Sequence, residues 1–324
     1  MPDRTALISQ FLAHAGWSDA AQAPVAGDLS SRQYFRLSQN GNSSILMDAP
    51  PDKEQSTPAF LKMAHWLAET HLSSPEIIAD DASNGLLLLE DFGDNKLSDI
   101  VRSAPHLQQD HYEIALQALL RIRNKPAPDL PRPNAVDLTQ ATKLFDDWYP
   151  QVGSQSLQPF RDILCAKLTV LLANPPTVSL RDFHADNIIW LPDRTGPKKL
   201  GLLDFQDAIL THPAYDLMSL LTDARVDVPK PVRDTLTQSY AALTGDNHSK
   251  LAEAVAILGA QRNLRILGIF ARAARRDGKT AHLSAIPRVL GYLKDCAAHP
   301  AFGQSGQHLI DNIPNPDLLM EFQT

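Results

Sequence analysis

The sequence predicts an α+β protein with a small, strand-rich N-terminal lobe and a larger, mainly helical C-terminal lobe. Three observations carry this reading. Two apolar runs, Gln33 to Leu37 and Ser44 to Asp48, flank the break Asn40-Gly41-Asn42, a β-hairpin signature. A continuous apolar run, Leu86 to Leu89, sits between the Asn84-Gly85 turn and Gly93 and suits a buried strand. From Asp94 onward apolar residues recur at spacings of three and four, the mark of helices, with one interruption.

Taken in order, Ala6 to Ala15 predicts a short helix stopped by Gly16. Gly27-Asp28-Leu29-Ser30-Ser31 is turn-rich and leads into the hairpin. Pro58 to Glu69 sets Phe60, Leu61, Ala64 and Leu67 near helical spacing, and Glu76 to Asp80 is a further strand ahead of Leu86 to Gly93. Helices are expected over Asp110 to Arg123, Phe160 to Leu172, Ala214 to Leu221, Thr235 to Leu243 and Lys250 to Arg276. The interruption is Val178 to Asp204, where Ile188 to Leu191 and Leu200 to Leu203 flank the polar turn Pro192 to Pro197 as a second hairpin. The expected lobes are residues 1–93 and 94–324, joined near Glu90 to Asn95.

Charge narrows the function. Lys and Arg number 30 against 37 Asp and Glu, a net charge of −7, so no basic field exists to hold nucleic acid or an anionic membrane. Met1 to Gly93 carries five basic and twelve acidic residues, and the remainder of the 324-residue chain is balanced. Cys165 and Cys296 have no close partner and form no C-x-x-C, which argues against a disulfide framework or a cysteine zinc site. The N-terminus lacks a basic stretch followed by an apolar segment, and no run approaches the roughly 18 to 20 apolar residues of a membrane span. A soluble, cytoplasmic protein is the expectation, with oligomeric state left open.

The chemistry concentrates around the second hairpin. Arg181-Asp182-Phe183-His184-Ala185-Asp186-Asn187 enters it and Asp204-Phe205-Gln206-Asp207 leaves it. Asn187 follows Asp182 by five residues and Asp204 follows Asn187 by seventeen, so Asp182, Asn187 and Asp204 are expected together at one end of the hairpin. Phosphoryl transfer from ATP requires one carboxylate to accept a hydroxyl proton, and a carboxylate with an amide oxygen to hold the hard ion Mg²⁺. The spacing matches the protein-kinase catalytic loop and the later Asp-Phe-Gly turn. No Walker A loop occurs. His184 and Asp186 lack a third ligand at zinc-like spacing, so His184 is expected to orient the loop.

On these residues the chain resembles the aminoglycoside phosphotransferase and choline kinase superfamily, small-molecule kinases with a protein-kinase-like fold, over nearly its whole length. More narrowly, Leu46 to Pro51, Leu180 to Asn187, Leu203 to Ala208 with Tyr215-Asp216-Leu217, and Gln261 to Phe270 resemble the bacterial anomeric kinases of the cell-wall amino sugars N-acetylmuramate and N-acetylglucosamine. The resemblance implies ATP and Mg²⁺ as cofactors and an amino sugar as the small-molecule substrate. It implies Asp182 as catalytic base, Asn187 and Asp204 as metal ligands, and Asp216 as a brace of the catalytic loop. It further implies a phosphate loop containing Ser30, Ser31 and Arg32, and an adenine-holding strand and hinge containing Glu90 and Phe92.

Two positions depart from that pattern. Leu180 stands where a His usually precedes the catalytic Asp by two, and Ile45-Leu46-Met47-Asp48 lacks the strand lysine that holds phosphates. Arg32, Arg36 and Lys53 are the nearby cations. Two alternatives therefore stay open: an acceptor of aminoglycoside, choline or homoserine type, and a catalytically degenerate kinase fold that only binds nucleotide. Candidate substrate contacts are Trp148, whose ring could pack on a sugar, Asp207, Arg262 and Arg265. Arg262, Arg265, Arg272 and Arg276 fall within about an 80° arc of one helix. That arc reads either as a solvated face or as a set reaching a substrate carboxylate or phosphate.

Overall fold

In the computed structural model, which describes residues 3–25, 32–52, 57–149 and 157–315, the chain opens with α1 (Arg4–His14), capped by Asp3 through Thr5 N at 3.1 Å. There follow β1 (Ala21–Val25), β2 (Gln33–Gln39), β3 (Asn42–Asp48), α2 (Thr57–Glu69), β4 (Ile77–Asp81) and β5 (Leu86–Glu90). The β2–β3 turn has Asn40 at φ 52° and Gly41 at φ 80°, the left-handed pair whose twist suits a tight hairpin. The sheet is antiparallel in the order β1-β2-β3-β5-β4. Leu37, Leu46, Leu86 and Leu88 share a core with Phe11 and Leu12 of α1. Met47, Leu87 and Leu89 are buried as well, so β5 has no solvent face and its sequence runs as four leucines. β1 is not among the predicted strands. It pairs with β2 at the sheet edge, where Ala-Gln-Ala-Pro needs no apolar alternation and Pro24 is tolerated.

Gly85 closes the β4–β5 turn at φ 70°, and a Cβ there would lie 1.9 Å from the Ala49 carbonyl oxygen. Gly85→Ala is expected to cost about 2–4 kcal/mol, from the left-handed backbone and the collision together. A lower urea midpoint at unchanged m-value checks it.

The second hairpin forms as expected, with Ile188–Trp190 paired to Leu200–Leu202. It does not group with the helical lobe, to which the division at residue 94 assigns it. One compact unit comprises Met1–Leu97 with Asn187–Ala208, the other Ser98–Asp186 with Ile209–Thr324. The cause lies in the backbone: Leu202 N donates to Ser73 O and Trp190 N to Asn95 O, both at 2.7 Å. Both outer edges of the hairpin thus continue into the first unit, and the Phe205 ring packs on Phe60 at 4.8 Å.

In the second unit, Gln108–Asn124, Gln158–Leu171, Tyr215–Leu221, Lys230–Thr244 and His248–Asp277 answer to the five predicted helices. Ala135–Gln140, Lys143–Trp148, Ile286–Ala297 and Gly303–Asn312 are helices beyond the prediction, and Thr177–Ser179 pairs with Ile209–Thr211. The 30-residue helix His248–Asp277 runs about 45 Å from an Asn247 cap to Gly278 at φ 65°. Against the expectation that no stretch approaches a membrane span, this helix is long and apolar enough by composition; 78% of its most apolar window is buried as core. Its arginine stripe is not a uniform solvated face, since Arg262 is buried at 4% exposure while Arg276 is exposed.

Candidate active site

In the second unit, the strand Thr177–Ser179 runs into buried Leu180 and then turns sharply. Arg181 adopts φ 68°, which costs a non-glycine residue roughly 1–2 kcal/mol. Asp216, in the first turn of helix Tyr215–Leu221, holds it there. Its buried carboxylate accepts from Ser179 Oγ at 2.7 Å, Leu180 N at 2.7 Å and Arg181 N at 3.1 Å. Burial raises Asp216 to about 6 against the pull of those three donors. Asp223 clamps the far side, accepting from Ala185 N at 2.9 Å and Arg225 N at 2.8 Å, and burial raises its pKa too.

Between the clamps lies Asp182, whose carboxylate is 3.2 Å from Arg262 Nη2, the aspartate side chain being 36% exposed. Burial pushes Asp182 up, but Arg262, His184, Arg181 and Arg265 outweigh it and hold the carboxyl below its usual value. His184 is buried with Nε2 3.1 Å from Arg225 Nη1, and Arg225 and Arg102 reach Asp186 at 3.4 and 3.5 Å.

In the first unit, Leu203, next to Asp204, donates its N–H to Asn187 O at 2.9 Å, which sets the two candidate ligand positions at the ends of facing strands, at the base of the hairpin. Asp204 also takes a left-handed φ, 55°; of four described non-glycine residues that do, two are Arg181 and Asp204. Backbone strain is thus concentrated at the expected catalytic segments. Asp204 Oδ1 accepts from Arg32 Nη2 and Gln206 Nε2, each at 2.9 Å, and Gln206 also donates to exposed Asp207 at 3.1 Å. Arg36 is committed to Asp91 at 2.7 Å and Asp94 at 2.8 Å. Lys53, Ser30 and Ser31 fall outside the described residues. Glu90 accepts from Arg194 Nη2 at 2.5 Å, and that guanidinium lies 5.2 Å over the Phe92 ring. Gly201 leaves room for the ring: a Cβ there would come within 2.6 Å of it.

Asn187 and Asp204 offer one amide oxygen and one carboxylate. No group of three or more His, Cys, Asp or Glu that could cage a metal occurs among the described residues. Two hard oxygen donors fit Mg²⁺, which keeps water and phosphate oxygens as its other ligands, and do not fit a closed zinc site.

The structure therefore brings Asn187, Asp204 and Arg32 together in one unit, and Asp182, His184, Asp216, Arg262 and Arg265 in the other. Trp148 stands apart. Its carbonyl accepts from Arg275 Nη1 at 2.7 Å, about 20 Å of helix beyond Arg262. Asp223 and Arg225 are functional candidates that the sequence reading misses. The available signal is an acid set among Leu220, Leu221, Ala224 and Val226, where burial demands that it accept hydrogen bonds.

A sequence model of the phosphotransferase enzyme family matches residues 21–254. The chain is 32% identical to the N-acetylmuramate/N-acetylglucosamine kinase of Caulobacter vibrioides, over 93% of this chain and 94% of that protein. It is 31% identical to the protein of the same name from Pseudomonas aeruginosa, over 95% and 94%. Among solved structures, a choline/ethanolamine kinase family protein from Mesorhizobium loti superposes with a TM-score of 0.67 at 14% identity, covering 95% of this chain and 100% of that one. Choline kinase LicA from Streptococcus pneumoniae does so with a TM-score of 0.66 at 13% identity, over 90% and 99%. At these identities the likeness shows the fold, and it is the kinase-like fold that the sequence predicts.

Proposed function

This chain belongs to the phosphotransferase enzyme family, and from that premise we propose that it transfers the γ-phosphoryl group of ATP to the 1-hydroxyl of N-acetylmuramate or N-acetylglucosamine, the sugars that its relatives' names carry. The observation that carries the proposal is Asp182, kept ionised by Arg262 and fixed in direction by the Asp216 and Asp223 clamps on either side of it. Asp182 accepts the proton of the sugar hydroxyl. A carboxylate this acidic is a weak base, which suffices where the transition state is loose, and its larger service is to aim the hydroxyl.

Asn187 and Asp204 would hold Mg²⁺, which when bound neutralises charge on the phosphates. Arg32, beside Asp204, takes the part of the absent strand lysine. Ser30 and Ser31 are assigned to the phosphate loop, and Glu90 and Phe92 to the adenine side. The first unit then serves the nucleotide and the second the acceptor. We place the enzyme in the cytoplasm, where ATP is at hand and Cys165 and Cys296, both free, stay reduced.

An acceptor screen reading ADP release tests this. Mg²⁺-dependent turnover of N-acetylmuramate or N-acetylglucosamine is expected. Turnover of choline, homoserine or aminoglycosides with neither amino sugar would overturn the acceptor. No acceptor-dependent ADP release with any member of the panel would overturn the kinase reading in favour of a degenerate fold that only binds nucleotide.

A further inference from the structure

We propose that a cleft in the second unit, lined by Arg132, Arg181, Tyr215, Gln261 and Arg265, is an anion subsite that receives the carboxylate of an acidic sugar, and that Arg265 is the residue by which the enzyme separates acidic from neutral acceptors. The proposal rests on the sugar-kinase reading of Asp182 and specifies the acceptor side of the same site.

The cleft has a volume of about 450 Å³, within the range of small-molecule sites. Its lining carries three guanidinium groups and a single carboxylate, Asp137. That carboxylate is already engaged, because it accepts from Asn134 N at 2.9 Å in the capping box of helix Ala135–Gln140. That bond turns Asp137 toward the backbone of its own helix, and the lining keeps three cations against one acid.

Arg265 is the sharpest case. It is partly buried, and no hydrogen bond or ion pair joins it to a described residue. Arg262, three residues earlier on the same helix, takes the Asp182 carboxylate at 3.2 Å. Burial lowers the Arg265 pKa, and the like charges of Arg181 and Arg262 add to this against help from Tyr215 and Asp182. A guanidinium does not give up its proton in a protein, so the imbalance is relieved by an anion. Carboxylate is the anion its planar fork matches in two parallel hydrogen bonds.

A second, independent observation comes from Gln261. Its side chain lines the same cleft at 1% exposure and donates Nε2 to Leu138 O at 2.9 Å. Its Oε1 is buried with no hydrogen-bond partner among the described residues. Buried polar atoms are almost always satisfied, so a lone acceptor at the wall of a cleft points to a donor from a ligand. A sugar offers both complements: hydroxyl or amide N–H groups for Gln261, and, where it bears a lactyl ether, a carboxylate for Arg265. N-acetylmuramate and N-acetylglucosamine differ by that ether alone, so a change on replacing Arg265 that is confined to N-acetylmuramate reports the lactyl group.

The test compares wild type with Arg265→Gln and Arg265→Lys, with thermal melting as the folding control. The ratio of kcat/KM for N-acetylmuramate to that for N-acetylglucosamine is expected to fall about 10- to 100-fold in Arg265→Gln, through KM. Arg265→Lys should recover part of it, because a point charge keeps attraction but loses the fork. An unchanged ratio, with both sugars losing equally or not at all, would overturn the subsite. Calorimetric binding of each sugar without ATP keeps the two proposals apart. If wild type turns over neither sugar, the acceptor reading above fails, while tighter binding of N-acetylmuramate than N-acetylglucosamine that Arg265→Gln abolishes still supports the subsite. Equal or absent binding overturns it.

Discussion

Replacing Asp182 with Asn is expected to lower kcat by roughly 10²- to 10⁴-fold, the usual contribution of a positioned proton acceptor. The substitution keeps the shape and leaves an oxygen for Arg262 Nη2, so the loss reports charge and proton acceptance. Its cost in stability is smaller. Arg262 is left buried without its anion, which argues for destabilisation, but the Asp182 side chain is 36% exposed and water shares the loss. About 1–2 kcal/mol is expected. Because neighbouring cations hold the Asp182 carboxyl below its usual value, the group is ionised throughout the neutral and mildly acid range and contributes no acidic limb there. Single-turnover assays with a fluorescent nucleotide titration separate chemistry from binding: a kcat within threefold of wild type would remove Asp182 from the reaction.

How much of this was legible in the residues follows from which interactions leave a side-chain signature. The two hairpins and seven of the helices are plain because burial on one face imposes a period of two or of three to four. Ile286–Ala297 carries the same signal in Val289, Leu290, Leu293 and Cys296, yet is not among the predicted helices. β1 leaves no signal, since an exposed edge strand needs only backbone partners. The same cause hides the allegiance of the second hairpin, whose ties to Ser73 and Asn95 are main-chain hydrogen bonds. In the candidate site, spacing alone marks Asp182, Asn187 and Asp204, because the proposed chemistry fixes residue type. Asp223 acts on a backbone N–H, a role open to any buried acid, and so has no motif. The arginine arc is visible on a helical wheel, but a wheel gives angle and not depth. Arg262 lies in the buried middle of the helix and Arg276 near its exposed end, which no periodicity distinguishes.

Asp216→Asn is expected to destabilise the protein by about 3 kcal/mol or more at acid pH and to lower kcat at least about tenfold. An amide offers one acceptor oxygen where even the protonated acid keeps acceptor capacity on both of its oxygens, and its NH₂ would face the N–H of Leu180 or Arg181, both held within 3.1 Å. The left-handed turn at Arg181 then loses its support, and with it the direction of Asp182. The pH dependence distinguishes this from a generic packing defect. Burial raises Asp216 from 3.8 to about 6, so the folded protein holds that proton more tightly than the unfolded chain. The associated stability is fully present below about pH 4 and is lost as pH rises through about 6, a change of about 3 kcal/mol. Activity should run the other way, because the ionised carboxylate is the better acceptor for the three donors that shape the loop. Urea midpoints and kcat measured from pH 4.5 to 7.5 should therefore show opposite trends through the same interval in wild type, and Asp216→Asn should lose the kcat trend and keep only the smaller stability trend that buried Asp223 contributes. A stability difference between the two proteins that stays flat across that interval would mean that Asp216 is ionised throughout it. The loop would then be held by a permanent charge instead of a titrating one.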